Sequence, residues 1–413
     1  MPVSSRPRAL LLICAAAIAV ATNYTIAGPV LGFIRGEFAL SSTDAGGIAT
    51  AFFVGSALTM LAGGAVADRI GTRPAVTLGL LFVVGGNLGA ALLAPTFPAL
   101  LAWRVLGGLG AGFGFVAGAA YTRSIFDDRG RDLAQGLYGA SFLVGSGITL
   151  IYMPILAGPS GDWRFAFTVT AVALVGVWVA WTILAPGEPR APVATGARAG
   201  MAAALRERNT WLLGLCHMCG FGMAIVVGTW VTLYLADSFR LPVTAAGAIG
   251  SLTLVMGIVG RSSGGAILEG GVRPLRLIRA GLVFAILGLV TMALAPVLPV
   301  AVIGLVVVGI GVGLPYAAIF NGAAASVRTS PASAQGIVGW GGLLTAIYGP
   351  PLVGTLLDAT GSFAAGFLIF AATVSAVLAL TSLIRPFGAA GDDRRDVRPS
   401  ARPDPPPRAT ASS

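Results

Sequence analysis

Twelve apolar blocks follow one another along the chain, each of roughly 20 residues, the length of helix that crosses a bilayer. The first runs from about 9 to 31 and the last from about 362 to 384. The blocks are rich in Leu, Val, Ala and Gly and lack the two-residue alternation of barrel strands, so helices are the reading. Only 10% of the 413 residues are charged and 56% are hydrophobic, whereas a soluble chain carries roughly 25% charged residues. One soluble core could not bury that much apolar surface. The expected fold class is an all-α membrane protein with 12 transmembrane helices.

The blocks fall into two copies of six. Gly63-Gly64-Ala65-Val66-Ala67-Asp68-Arg69-Ile70-Gly71-Thr72-Arg73-Pro74 returns as Gly264-Gly265-Ala266-Ile267-Leu268-Glu269-Gly270-Gly271-Val272-Arg273-Pro274, one residue shorter. Gly108-Leu109-Gly110-Ala111-Gly112 pairs with Gly309-Ile310-Gly311-Val312-Gly313, and Ala134-Gln135-Gly136 with Ala334-Gln335-Gly336. Pro154 to Gly158 likewise pairs with Pro350 to Gly354. Internal duplication of this kind is how transporter folds are built. The expected organisation is a first six-helix bundle at 1–185, a cytoplasmic linker at 186–209, a second bundle at 210–385 and a disordered, Pro-rich cytoplasmic tail at 386–413.

Charge orients the bundles. All 26 basic residues are Arg. Threading the chain with both termini in the cytoplasm puts 21 of them inside, three (Arg35, Arg164 and Arg240) outside, and Arg104 and Arg261 within helices. This asymmetry follows the positive-inside rule and predicts a multi-pass protein of the cytoplasmic membrane. The net charge of +10 then reflects topology and anionic membrane lipid. Nucleic acid is excluded as a partner, because the Arg residues are scattered over short loops. Arg6 and Arg8 before an apolar run also fit a signal peptide, but losing that helix would break the match between the halves. The first block is expected to be an uncleaved helix.

Gly64-x-x-x-Asp68-Arg69-x-Gly71-x-Arg73, between the second and third helices, resembles the signature loop of the major facilitator superfamily. Arg104-x-x-x-Gly108-x-x-x-Gly112 in the fourth helix is similar to its second motif. The resemblance covers about residues 8–385 and implies two pseudo-symmetric bundles around a cavity that opens alternately to either side. Physically, Asp68, Arg69 and Arg73 can form a carboxylate–guanidinium latch at helix ends, with Gly64 and Gly71 allowing close approach. The second copy keeps Glu269 and Arg273 but has Gly270 in place of the first Arg, so its latch is expected to be weaker. Gly110, Gly114 and Gly118 form a small-residue row for helix packing.

Substrate chemistry rests on the polar residues within the helices. The 16 acidic residues all fall in loops or at helix ends, while Arg104 and Arg261 lie deep in the fourth and eighth helices. A cavity with cations and no carboxylate favours an anion, since guanidinium pairs bidentately with oxyanions. Arg261 in Gly260-Arg261-Ser262-Ser263 is similar in place to the substrate-binding Arg of nitrate/nitrite porters and to the eighth-helix Arg of oxalate/formate and monocarboxylate carriers. The nitrate porters carry a second Arg at the symmetric position of helix 2, which is Met60 in this chain. That difference counts against nitrate and leaves small organic or cyanate-like anions open. Helix bracing is the alternative role for both Arg104 and Arg261. Asn23, Tyr24, Asn321, Tyr316 and Trp340 are further candidate substrate contacts; Trp230, Tyr234 and Tyr348 rank below them.

His217, the single histidine, is a candidate carrier of a coupling proton or a packed neutral ring. With Cys216 and Cys219 it offers half a metal-ligand set, so no metal or other cofactor is expected. One histidine and no mid-helix acid also leave a membrane enzyme without acid–base groups. The expected function is that of a monomeric secondary transporter for a small, anionic solute, with H+ a possible coupling ion. The alternative is a proton-coupled efflux antiporter for drugs or other hydrophobic compounds. Its fifth-helix pattern is only partly present, because Met153 stands where that branch has Gly.

Overall fold

The computed structural model describes residues 6–126, 128–187 and 197–387, with the side chains of 61, 62, 64, 65, 68, 128–133 and 197–199 outside the described set. Regular structure among the described residues is entirely helical. The first half comprises α1 (Arg6–Thr25) with its continuation α2 (Leu31–Phe38), then α3 (Ser42–Ile70), α4 (Thr72–Leu92), α5 (Phe97–Ile125), α6 (Asp128–Ala157) and α7 (Trp163–Leu184). A short helix, α8 (Ala197–Arg206), occupies the polar interruption, where its Ala-rich sequence favours helix. The second half comprises α9 (Arg208–His217) with α10 (Met223–Phe239), α11 (Val243–Gly250) with α12 (Leu252–Glu269), α13 (Pro274–Ala293), α14 (Leu298–Gly313) with α15 (Tyr316–Ser326), α16 (Pro331–Thr360) and α17 (Phe363–Leu380). Taking each broken helix as one crossing gives twelve, and eleven of them are long and apolar enough to span a membrane among the described residues. The twelfth is α3, with 29 residues.

Four crossings that read as continuous blocks in the sequence are interrupted: the first, between α1 and α2, and three in the second half. A π-helical turn, Met218–Gly222, joins α9 to α10. Ser251 separates α11 from α12, and Leu314-Pro315 separates α14 from α15. Pro315 cannot donate to the preceding turn, which accounts for the last break. In the first half the signature segment is less of a loop than its sequence suggests. Helix α3 runs through Ile70 and α4 begins at Thr72, so the whole turn is Gly71, at φ 97°. Gly271 at φ 85° makes the corresponding turn in the second copy. Side chains rarely adopt that backbone conformation, which explains glycine at both places.

The duplication is carried by atoms as well as letters. The Gln135 amide donates to Ala119 O at 2.8 Å, and the Gln335 amide, 200 positions on, donates to Phe320 O at 3.3 Å. Gly79 and Gly110 bring the backbones of α4 and α5 together, as Gly281 and Gly311 do for α13 and α14. A Cβ built at Gly79 would stand 2.7 Å from Gly110 O, and one at Gly281 would stand 2.9 Å from Gly311 O. Bilayer helices associate through such close packing, because lipid offers no hydrophobic drive between them.

The halves meet tightly on the face opposite the chain ends. At Gly46 of α3 a Cβ would lie 2.5 Å from the Pro350 backbone of α16; at Gly247 of α11 it would collide with Leu150 O and approach Pro154 of α6. Gly28 touches the backbone of Gly228 and Thr229. The Asp358 carboxylate at the end of α16 accepts from Ser42 N at 2.8 Å and Thr43 N at 2.9 Å, at the start of α3. Thr50 Oγ1 donates to Ile347 O at 2.6 Å in the same seam. The structure is thus closed at the face distal to the chain ends.

Candidate functional site: a cavity between the halves

Between the halves lies a partly open cavity, with about 640 Å³ of empty space when the solvent at its mouth is counted. Tyr24 of α1, Phe115 of α5 and Phe142 of α6 wall it on one side; Phe221 of the π turn with Tyr316 and Phe320 of α15 wall it on the other. The rings hold one another. Phe115 and Phe142 meet edge-on at 5.1 Å, Tyr316 and Phe320 lie 4.7 Å apart, and Tyr24 meets Phe221 across the halves at 5.9 Å. Such pairs fix ring orientation beyond what area burial alone would do.

Arg261 of α12 is the cation of this cavity. Its Nη1 donates to Gly139 O of α6 at 3.3 Å, and its Cζ sits 4.1 Å over the Tyr316 ring. The first contact is at the long end of the hydrogen-bond range, and the second is a cation–π interaction. Nε is buried without a partner. A guanidinium has five N–H donors, and this one makes a single hydrogen bond among the described residues. It is held in place but far from saturated. No carboxylate lines the cavity among the described residues.

His217, also in the lining, ends α9 next to the π turn, an irregularity common at functional sites. Its ring stacks on Phe221 at 5.9 Å and meets the edge of Phe320 at 4.9 Å. The imidazole lies against Gly342 of α16, where a Cβ would stand 3.0 Å from Nε2. Met60 lines the same cavity, so the two positions related by the duplication, Met60 and Arg261, both face it.

Four candidate contacts do not line it. Arg104 is 3% exposed, donates from Nη2 to Asn23 O at 2.9 Å and stacks over Phe52 at 4.6 Å. It braces α5 against α1. Asn23 is fully buried, with its amide on Thr22 Oγ1 at 3.2 Å. Asn321 is exposed, and Trp340 packs beside the cavity with its Nε1 unpartnered. In each of the last three cases the neighbour lines the cavity instead: Tyr24, Phe320 and Gly339. Consecutive helix residues point about 100° apart, since a turn holds 3.6 of them, so these three candidates sit on the cavity's turns but off its face. The sequence reading missed Phe142 and Ser146. Gly139, Phe142, Leu143 and Ser146 form an i, i+3, i+4, i+7 stripe on α6, a readable signal once the helix was placed.

The signature segment lies away from the cavity. Gly64 and Asp68 fall outside the residues whose side chains are described, and Arg69 is exposed. Arg73 Nη2 donates to Thr182 O at 2.7 Å, tying α4 to α7 within the first half. In the second copy Glu269 and Arg273 are exposed and form no ion pair among the described residues.

Two six-crossing halves enclosing one central cavity define an integral, multi-pass secondary transporter of small molecules. The chain belongs to the Major Facilitator Superfamily, whose model matches residues 13–333. It is 26% identical over 355 residues to the "Probable nitrate/nitrite antiporter NarK1" of Thermus thermophilus, covering 78% of this chain and 79% of that one. It is 25% identical over 389 residues to the "Hexuronate transporter" of Bacillus subtilis, covering 88% and 90%. Among solved structures it resembles an inward-facing, unoccupied bacterial homolog of the human lysosomal transporter Spinster, with a TM-score of 0.74 and 16% identity over 93% of this chain and 96% of that one.

Proposed function

We propose that the protein carries a small anion across the cytoplasmic membrane by alternating access, with Arg261 as the anchor of the anion. The observation that carries this reading is an unsaturated guanidinium facing a central cavity whose described lining holds no carboxylate. The names of the nitrate/nitrite and hexuronate relatives support it, since both substrates are anions. Tyr316 holds the guanidinium from below, and Tyr24 reaches the same space from the first half. The bundles at 1–185 and 210–385 rock about the anion as a single chain, joined by the linker at 186–209. The positive-inside pattern places both termini in the cytoplasm, so the closed distal face is extracytoplasmic and the cavity is poised to open inward.

Three coupling modes fit this site: anion exchange, a proton entering with the anion, or a proton carried by His217. Proteoliposomes separate them. With an imposed pH gradient, His217→Gln abolishes gradient-driven accumulation and spares exchange if the imidazole carries the proton; unchanged accumulation removes His217 from coupling. The anchor is tested by exchange of formate, benzoate, oxalate and nitrate beside a cationic drug. Saturable exchange of an anion, lost in Arg261→Ala, is the expected result. Saturable exchange of the cationic drug alone would favour the efflux antiporter, a reading that the aromatic walls also accommodate.

A further inference from the structure

Charge alone does not describe this cavity. Its polar groups are few: the Arg261 guanidinium, the His217 ring, and the hydroxyls of Tyr24, Ser146 and Tyr316. The Ser146 hydroxyl is spent, donating to Ala21 O at 3.1 Å. Tyr24 and Tyr316 bring the other two hydroxyls of the described lining. Arg261 and Tyr316 thus present donors side by side, and Tyr24 adds a third from the opposite half. Everything else in the lining among the described residues is apolar or aromatic, with Phe115 and Phe142 facing Phe221 and Phe320.

Resting on the anion reading above, we propose that the substrate is a monocarboxylate with an apolar, ring-bearing body. Its carboxylate is taken by Arg261 with the two tyrosine hydroxyls, and its ring lies between the aromatic walls. Each alternative leaves an unmet demand. A polyhydroxylated acid would bury several hydroxyls in a lining without amide or carboxylate partners, and each would carry an uncompensated desolvation cost. A dianion would bring a second charge with no cation to meet it, because Met60 stands where a second guanidinium would be. An inorganic anion such as nitrate would engage Arg261 and leave the rings empty. Aromatic rings, by contrast, gain from edge and offset contacts with an inserted ring. The inference separates this chain from what the names of its nitrate/nitrite and hexuronate relatives describe.

The test is counterflow in proteoliposomes of the full-length wild-type protein, loaded with phenylacetate and challenged with labelled phenylacetate. Unlabelled phenylacetate, phenylacetamide, glucuronate, phthalate and nitrate are the competitors. Phenylacetate should compete at least tenfold better than glucuronate, phthalate or nitrate. Phe142→Ala should weaken phenylacetate by tenfold or more and formate by a smaller factor, and Phe142→Leu should fall between. Glucuronate, phthalate or nitrate exchanging as well as phenylacetate, with that exchange lost in Arg261→Gln and partly kept in Arg261→Lys, would overturn the ring-bearing monocarboxylate and leave the anion reading intact. Phenylacetamide competing as well as phenylacetate, or Arg261→Gln exchanging like wild type, would overturn the anion reading and this inference with it. The competition arm needs no variant, so a variant that fails to fold leaves the proposal open to refutation.

Discussion

The two halves share a fold and divide the chemistry. The first half crosses in unbroken helices from α3 to α7, breaking only at the distal end of its first crossing. The second half is interrupted in three crossings, and each interrupted crossing supplies one polar group to the cavity: His217 beside the π turn, Arg261 in α12, and Tyr316 just after Pro315. The corresponding first-half helices supply Tyr24, Met60 and Phe115. On the proposed anion reading, one copy acts mainly as a wall and the other as a reader. A regular helix fixes the direction of every side chain from its neighbours, and a break releases that constraint. Two of these breaks adjoin the polar group of their crossing, His217 and Tyr316, whereas Arg261 lies ten residues beyond Ser251 in unbroken helix.

The closed seam repeats the lesson. Gly46 against Pro350 and Gly247 against Pro154 are the same contact made twice. Asp358, however, reaches across to the N-terminus of α3. Asp162, its equivalent 196 positions earlier, accepts instead from Phe165 N at 2.9 Å and caps its own half's α7. Only one of the two seams carries a carboxylate lock of this kind among the described residues.

Removing the reader should have the largest effect. Arg261→Ala deletes charge-assisted hydrogen bonds worth about 3 kcal/mol, a factor on the order of 100 in substrate exchange. Restoring symmetry should come next. Met60→Arg places a second cation opposite the first, and the ratio of oxalate to formate exchange should rise on the order of tenfold. An unchanged ratio would mean that position 60 does not see the substrate. The seam comes third. Gly46→Val forces α3 and α16 apart, so a cysteine introduced at Thr355 should react several-fold faster with a membrane-impermeant thiol reagent, and slower exchange should accompany it. The smallest effect belongs to Asp358→Asn, which removes the charge and one of the two acceptor oxygens while keeping the size. Labelling at the same cysteine should rise by less than it does in Gly46→Val, and the matching change Asp162→Asn should leave it unmoved.

Much of the fold was legible before any coordinate. Twelve apolar blocks and four repeated anchors define the architecture, because bilayer thickness and backbone hydrogen bonding leave few alternatives. Arg261 and Met60 were legible as well, since the repeat supplies the register. The failures lie one step finer. Asn23, Asn321 and Trp340 each neighbour a lining residue, and hydrophobicity on all sides of a membrane helix erases the periodicity that tells a cavity face from a packed one. Arg104 and Arg261 are both guanidiniums deep in apolar helices. Only the positions of Asn23 O and Phe52 show that the first is a brace. The breaks at Ser251 and at the π turn have no equally plain sequence mark.

The central claim is that the anion is captured by the guanidinium of the second half. Thermal unfolding of the detergent-purified chain, with formate, benzoate, phenylacetate, oxalate and nitrate added in turn, tests it most directly, because a ligand stabilises only the state that binds it. The account predicts that an anion raising the midpoint of the wild type by several degrees leaves Arg261→Gln unmoved. An equal rise in both proteins would contradict it.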